Sequence, residues 1–210
     1  MRILRAFSER QRRPAGCLRQ RFFCIWAVAF GLVFLACPAR TVEPSPIPRE
    51  IEAPSEHELK AIYLYNFRQF VQWPAEKCPL PEGHANEIAV IGNTSLQPVL
   101  QSLQAKLREK NKELTLSFHE SYREGMDLSR CCLLFIAASE LEKLPGILKS
   151  VDGKHVLTVT DADDTVDSGV MITLLSREKK IRWAINRKPV ADAGLKMSAK
   201  LLEIAEQVIE

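Results

Sequence analysis

The sequence predicts an α/β fold: a single layered domain in which a mixed sheet of about six strands is flanked by helices. Three observations lead there. Short apolar runs that suit buried strands recur at residues 87–92, 131–137 and 155–160. Segments of helical periodicity lie between them, the order expected of βα units on a layered sheet. Late in the chain, residues 170–175 and 180–186 read as a strand pair joined at Arg177-Glu178-Lys179, which adds antiparallel pairing. The 210 residues suit one domain of ordinary size plus a tail, and no internal repeat or second domain is visible.

The N-terminal end differs in kind. Residues 1–39 hold seven Arg and one Glu, whereas the rest of the chain carries 22 Lys and Arg against 25 Asp and Glu. The overall charge of +3 therefore hides a domain of net −3, without the basic footprint of a nucleic-acid binder. Arg-rich residues 1–21, an uncharged apolar run over 22–36 and the small-residue exit Cys37-Pro38-Ala39 follow the order of a secretory signal peptide. The run is shorter than the roughly 20 residues of a spanning helix, so cleavage after Ala39 is expected rather than a permanent anchor. Phe34-Leu35-Ala36-Cys37 is a loose match to a lipoprotein signal, a second route by which Cys37 would anchor the chain. Either route leaves the Arg cluster in the cytoplasm and the domain outside the inner membrane. Residues 40–54 contain four prolines and no periodicity, and read as a flexible leader to a domain spanning 55–210.

Residues 58–74, ELKAIYLYNFRQFVQWP, open that domain. Leu59, Ile62, Tyr63, Phe67, Phe70 and Val71 make a helical stripe, Ser55 and Glu58 make a capping box, and Pro74 closes the helix by removing a backbone donor. Five aromatics between Tyr63 and Trp73 bring a large apolar area to the core. Residues 75–86 are a loop with Pro79, Pro81 and Gly83. Ser95 then caps a helix carrying Leu96, Val99, Leu100, Leu103 and Leu107. Residues 114–118 alternate as a strand, 131–137 form a central strand, and 140–149 a short helix disturbed by Pro145-Gly146. Leu201, Leu202, Ile204, Ala205, Val208 and Ile209 suggest a closing amphipathic helix with Ser198 as its cap.

Candidate sites are few. Ile91-Gly92-Asn93-Thr94-Ser95 turns from strand to helix, where amides could hold an anion, but it lacks both the GxGxxG and the Walker spacing and reads as an ordinary turn. Asp161, Asp163, Asp164 and Asp167 suggest a Ca²⁺ loop until the register is counted: the position that needs a bidentate Glu is Ile172. A solvated acidic loop is the plainer reading. His57, His84, His119 and His155 are scattered without metal spacing, and neither a G-x-S-x-G elbow nor a local Cys–His pair exists. No catalytic residue, cofactor or metal is assigned, and the chain reads as non-enzymatic. Of six cysteines, Cys78, Cys131 and Cys132 lie beyond the expected cleavage point. Outside the cytoplasm thiols tend to pair. Adjacent strand residues face opposite ways, so Cys131 and Cys132 do not suit each other, and a bridge from Cys78 to one of them is the candidate. The alternative is a pair of small buried hydrophobes. Asn66 and Asn186 are polar groups in apolar segments that need hydrogen-bond partners, most simply at a helix or strand end.

Leu59-Lys60-Ala61-Ile62-Tyr63-Leu64-Tyr65-Asn66-Phe67, followed by Phe70-Val71-Gln72-Trp73-Pro74, resembles the signature that opens the YfiR-like family of small periplasmic proteins. Cys131-Cys132-Leu133-Leu134-Phe135-Ile136 is similar to its cysteine-led strand, with Cys131 at the cysteine position, and Val156-Leu157-Thr158-Val159-Thr160-Asp161 to its V-L-T-V-x-D strand. Ile185-Asn186 and the run from Ala193-Gly194-Leu195 to Ala205 resemble its closing motifs. Ser168-Gly169 departs from the family's Gly-Gly, and the adjacent cysteine pair is a second departure. The likeness covers about residues 55–209. It implies a periplasmic homodimer that binds the sensor portion of a membrane-bound diguanylate cyclase and represses it, keeping cyclic di-GMP and biofilm formation low. It marks Tyr65, Asn66, Phe67, Trp73, Pro74 and Asn186 as structural or interaction positions, and Cys78–Cys131 as the disulfide to test. The alternative from the residues themselves is a small-ligand sensor with a pocket near Gly92.

Overall fold

The computed structural model describes residues 53–74, 87–178 and 180–210. The expected signal peptide, nearly all of the leader and Cys78 lie outside the described residues. Elements follow in the order α1 (Glu56–Phe70), β1 (Val71–Gln72), β2 (Glu87–Ile91), α2 (Leu96–Arg108), β3 (Thr115–His119) and β4 (Leu133–Ile136). A 3₁₀ segment, Ala138–Lys143, leads into α3 (Leu144–Val151), then β5 (Leu157–Thr160), β6 (Ile172–Arg177) and β7 (Lys180–Asn186). The chain continues through α4 (Arg187–Asp192), β8 (Lys196–Met197), α5 (Ala199–Glu203) and β9 (Gln207–Ile209).

The mixed α/β sheet is present, with seven strands in the order β3-β2-β4-β5-β6-β7-β9. Strands β3, β2, β4, β5 and β6 run parallel; β7 returns antiparallel to β6, and β9 lies parallel to β7. The first crossover runs to one side of β2 and the later ones to the other. Crossovers of one hand then place α2 and α3 on opposite faces. Alternating strand residues build two cores accordingly. Ile88, Val90, Leu133, Phe135, Leu157 and Val159 face α1 and α2, whereas Ala89, Ile91, Leu134 and Ile136 face Ile147 and Val151 of α3. Cys132 belongs to the first core and Cys131 to the second, the opposite facing expected of adjacent residues.

The capping box forms as read: the Ser55 amide donates to Glu58 Oε2 at 2.9 Å and the Glu58 amide to Ser55 Oγ at 3.2 Å. Several boundaries differ, three of them for an evident physical reason. Helix α1 ends at Phe70, before Pro74, because Val71-Gln72 extends to pair antiparallel with Met197 and Lys196. Pro145 starts α3 rather than disturbing it, as the first turn has no amide partners to lose. The expected closing helix is only Ala199–Glu203, capped by Ser198; Val208 and Ile209 belong to β9. The open edge of β7 explains this, because a strand satisfies its backbone groups and a helix would not. The Glu206 amide begins that pairing by donating to Trp183 O at 2.9 Å.

Phe67, 1% exposed, meets Trp183 edge-on at 5.5 Å between ring centroids and stacks with Tyr63 at 6.2 Å. Truncating it leaves a cavity between α1 and the sheet. Phe67→Ala is expected to cost about 3–5 kcal/mol in urea denaturation and Phe67→Leu less than half of that.

Candidate functional site

The stripe that α1 buries is not centred where the apolar pattern puts it. Its covered residues are Lys60, Ala61, Leu64 and Phe67, whereas Ile62 is 39% exposed and Leu59, Tyr63 and Phe70 are half-buried. A lysine sits in the innermost row. It is held there by charge: the Lys60 ammonium lies 3.0 Å from Asp161 Oδ2, at the end of β5, and 3.0 Å from Glu56 Oε1, one turn earlier. Glu56 also accepts from the Ser176 hydroxyl of β6 at 2.6 Å. Burial works against the Lys60 charge, but the bonds to Asp161 and Glu56 outweigh it and hold its pKa above the ordinary lysine value. Glu56 is held below the usual carboxylate value, first by the Ser176 hydroxyl and then by Lys60.

A second junction forms where the helix gives way to β1. The Trp73 indole donates to the His155 carbonyl at 2.8 Å, and His155 Nδ1 lies 2.5 Å from Ala193 O. Gly194 turns beneath them at φ +68°, where an added Cβ would come within 3.6 Å of Pro74 Cγ and His155 Cε1. The Ser198 amide completes the seam by donating to Phe70 O at 2.8 Å.

The sequence-predicted residues thus divide. Phe67, Trp73 and Pro74 fasten α1 and β1 to the sheet and to the turn before β8. Tyr65 is half-buried, with the Arg68 guanidinium 4.8 Å from its ring centroid. Asn66 is half-buried and makes no side-chain hydrogen bond to the described residues. Asn186 is the N-cap of α4, its side chain accepting from the Lys188 amide at 3.2 Å, which is the plain helix-end role. Cys131 donates to Leu128 O at 3.3 Å, and burial pushes its thiol pKa well up. The acidic loop is divided too: Asp161 pairs with Lys60 and Asp163 with Arg177, the latter at 3.0 Å. Among the described residues, no group of three or more His, Cys, Asp or Glu could hold a metal ion. Lys60, Asp161, His155 and Trp183 carry the docking of α1. The legible signal was a lysine four residues from both Glu56 and Leu64.

The turn at Gly92, where a ligand pocket is the alternative reading, is closely packed on one side. Ser139 Oγ and Glu140 Cγ stand where a Cβ on Gly92 would meet them at 2.6 and 2.7 Å. An open apolar groove of about 370 Å³ lies elsewhere, between α1 and α2, lined by Ala61, Ile62, Pro98, Val99 and Leu103. The large exposed apolar side chains among the described residues are Ile62, Ile204 and Val208.

The family model described as YfiR/HmsC-like (DUF4154) matches residues 57–206, from the first turn of α1 to the residue before β9. No curated protein matches the chain. Two solved structures resemble it with a TM-score of 0.49 and 11% identity, covering 73% of this chain: the ABC domain in complex with L-Trp from Streptococcus pneumonia and a conserved domain protein from Vibrio cholerae O1 biovar El Tor. The match spans 60% of the length of either.

The Lys60–Asp161 bond is open to a double-mutant cycle. Lys60→Met and Asp161→Asn are each expected to cost about 2–4 kcal/mol in urea denaturation, and the double variant less than their sum by about 1–3 kcal/mol. The Lys60 contribution is complete below the ordinary lysine pKa and is lost only as pH rises through its raised folded value. That of Glu56 is complete above the ordinary carboxylate range and lost as pH falls through its lowered value. The coupling is therefore expected to stay flat from about pH 6 to pH 9.

Proposed function

The chain belongs to the YfiR/HmsC-like family, and on that footing we propose that it is an exported, non-enzymatic regulator of a membrane-bound diguanylate cyclase. In this reading it binds the periplasmic sensor region of the cyclase and holds the enzyme inactive, lowering cyclic di-GMP and biofilm formation. The observation that carries the reading is the extent of the match: residues 57–206 take in every element from α1 to α5. The unit shared with the family is the α/β domain itself rather than an appended motif. Export by residues 1–39, a Pro-rich leader over 40–54 and action as a homodimer belong to the same proposal.

The fold suits such a role physically. A regulator that works by contact needs a rigid body with an apolar surface left for its partner. Two cores on either side of a seven-stranded sheet provide the body, and Ile62, Ile204 and Val208 provide exposed apolar side chains.

The deciding experiment is co-purification of residues 40–210 with the periplasmic region of a cyclase encoded beside it. A stable complex, weakened by Ile62→Glu, Ile204→Glu or Val208→Glu with the fold intact, and a rise in cellular cyclic di-GMP on deletion, are the expected results. A folded domain that forms no complex at micromolar concentrations, with cyclic di-GMP unchanged by deletion, would remove the proposal.

The oxidised protein is further expected to join Cys78 to Cys131, leaving Cys132 as a buried thiol. Non-reducing peptide mapping after denaturation checks this; alkylation of all three thiols without reductant would show that the bridge does not form.

A further inference from the structure

Open α/β sheets bind anions outside the carboxyl ends of the strands where the strand order reverses. In this chain that place lies beyond β2 and β4, between Gly92 and the 3₁₀ segment Ala138–Lys143. A carboxylate already stands there, and it is the chain's own. Glu140 is 4% exposed. The Ser121 hydroxyl donates to its Oε1 at 2.8 Å, the Tyr122 amide to its Oε2 at 2.9 Å, and the Lys143 ammonium lies 3.4 Å from Oε2. A hydroxyl, a backbone amide and an ammonium are the donors with which a receptor for a free carboxylate would be built. Lys143 also donates to the Ser121 hydroxyl, tying two members of the set to each other.

The neighbourhood is shaped to admit this side chain. Gly92 adopts φ +95°, and a Cβ there would lie 2.6 Å from Ser139 Oγ and 2.7 Å from Glu140 Cγ. The Asn93 amide donates to Ser139 Oγ at 2.9 Å. Ser139 thereby satisfies the turn after β2, while Glu140 satisfies the turn after β3. Burial raises the pKa of Glu140, yet the Tyr122 amide, the Ser121 hydroxyl and Lys143 outweigh it and hold it below the usual carboxylate value.

We propose that Ser121, the Tyr122 amide and Lys143 form a carboxylate-binding site whose resident ligand is the tethered side chain of Glu140. The tether gives that carboxylate an effective concentration no free anion matches, so the intact protein keeps the site closed to small acids. The Lys143 side chain is 48% exposed, so a site emptied by truncation has an open side from which a small anion enters.

The test is chemical rescue of Glu140→Ala in the chain from residue 40 to 210, with acetate as the probe and chloride at equal ionic strength as the reference. The melting temperature of Glu140→Ala in chloride is expected to fall by roughly 5–10 °C. Acetate at about 0.1 M restores about 3–5 °C of it, a gain that grows with the logarithm of acetate concentration, as a site of roughly 10 mM affinity should. The parent protein responds equally to acetate and chloride, and adding Lys143→Ala to Glu140→Ala removes the rescue. Glu140→Gln keeps the side chain in place and shows none. If Glu140→Ala does not fold in chloride, recovery of folded protein on dialysis into acetate is the readout. Equal behaviour of Glu140→Ala in acetate and chloride, whether read by melting or by refolding, would overturn the proposal, as would an equal acetate response in the parent or in Glu140→Gln.

Discussion

The placement of α1 turns on one nearly buried lysine. An ammonium taken out of water costs several kcal/mol unless partners replace its hydration, so Lys60 fixes the rotation of α1 to the setting in which Asp161 and Glu56 are within reach. That setting turns Phe67 onto Trp183 two turns later and aims Trp73 at the carbonyl of His155. It also delivers Val71-Gln72 to β8. Rotating the helix to bury Ile62 and Tyr63 instead would improve its apolar content while stranding a charge, and the charge decides.

The motifs that mark the family are, in the folded chain, largely in contact with one another. Lys60 of the first meets Asp161 of the third; Trp73 and Pro74 meet His155 and Gly194, and Asn186 caps the helix that leads to Gly194. A signature of this kind describes how a helix is fastened to a sheet. The same runs also carry side chains that the packing leaves outside: Ile62 in the first and Ile204 in the last are exposed, as is Val208 just beyond.

Local signals were the legible ones. The capping box at Ser55, the strand β7 over Lys180–Asn186 and the cap at Ser198 depend on neighbours a few residues away, and all stand as read. What a residue meets across the sheet was hidden. Lys60 broke the apolar stripe in the sequence, and only the position of Asp161, 101 residues further on, turns that break into the inner row. Val208 and Ile209 fit a helical spacing, but the unpaired edge of β7 draws them into a strand. Gly92 reads as an ordinary turn, and the side chains that pack against it, Ser139 and Glu140, come from a segment beyond β4. Asn186 was legible in kind, since a polar residue in an apolar segment most simply finds its partner at a helix or strand end, whereas α4, the helix it caps, was not.

The partners of α1 also impose an order of events. The polar bonds that seat it and the segment after it reach far ahead in the chain: His155 is 82 residues beyond Trp73, Asp161 is 101 beyond Lys60, and Ser176 is 120 beyond Glu56. Those bonds can close only once the segments that carry Asp161 and Ser176 have been made, so the final seating of α1 waits on chain far beyond it. Contacts of such separation slow folding, since the closure entropy of the long loop is lost before any contact rewards it. Until β7 has formed, Tyr63 and Phe67 lack the Trp183 ring on which they pack, and that part of the aromatic face of α1 stays uncovered in a partly folded chain.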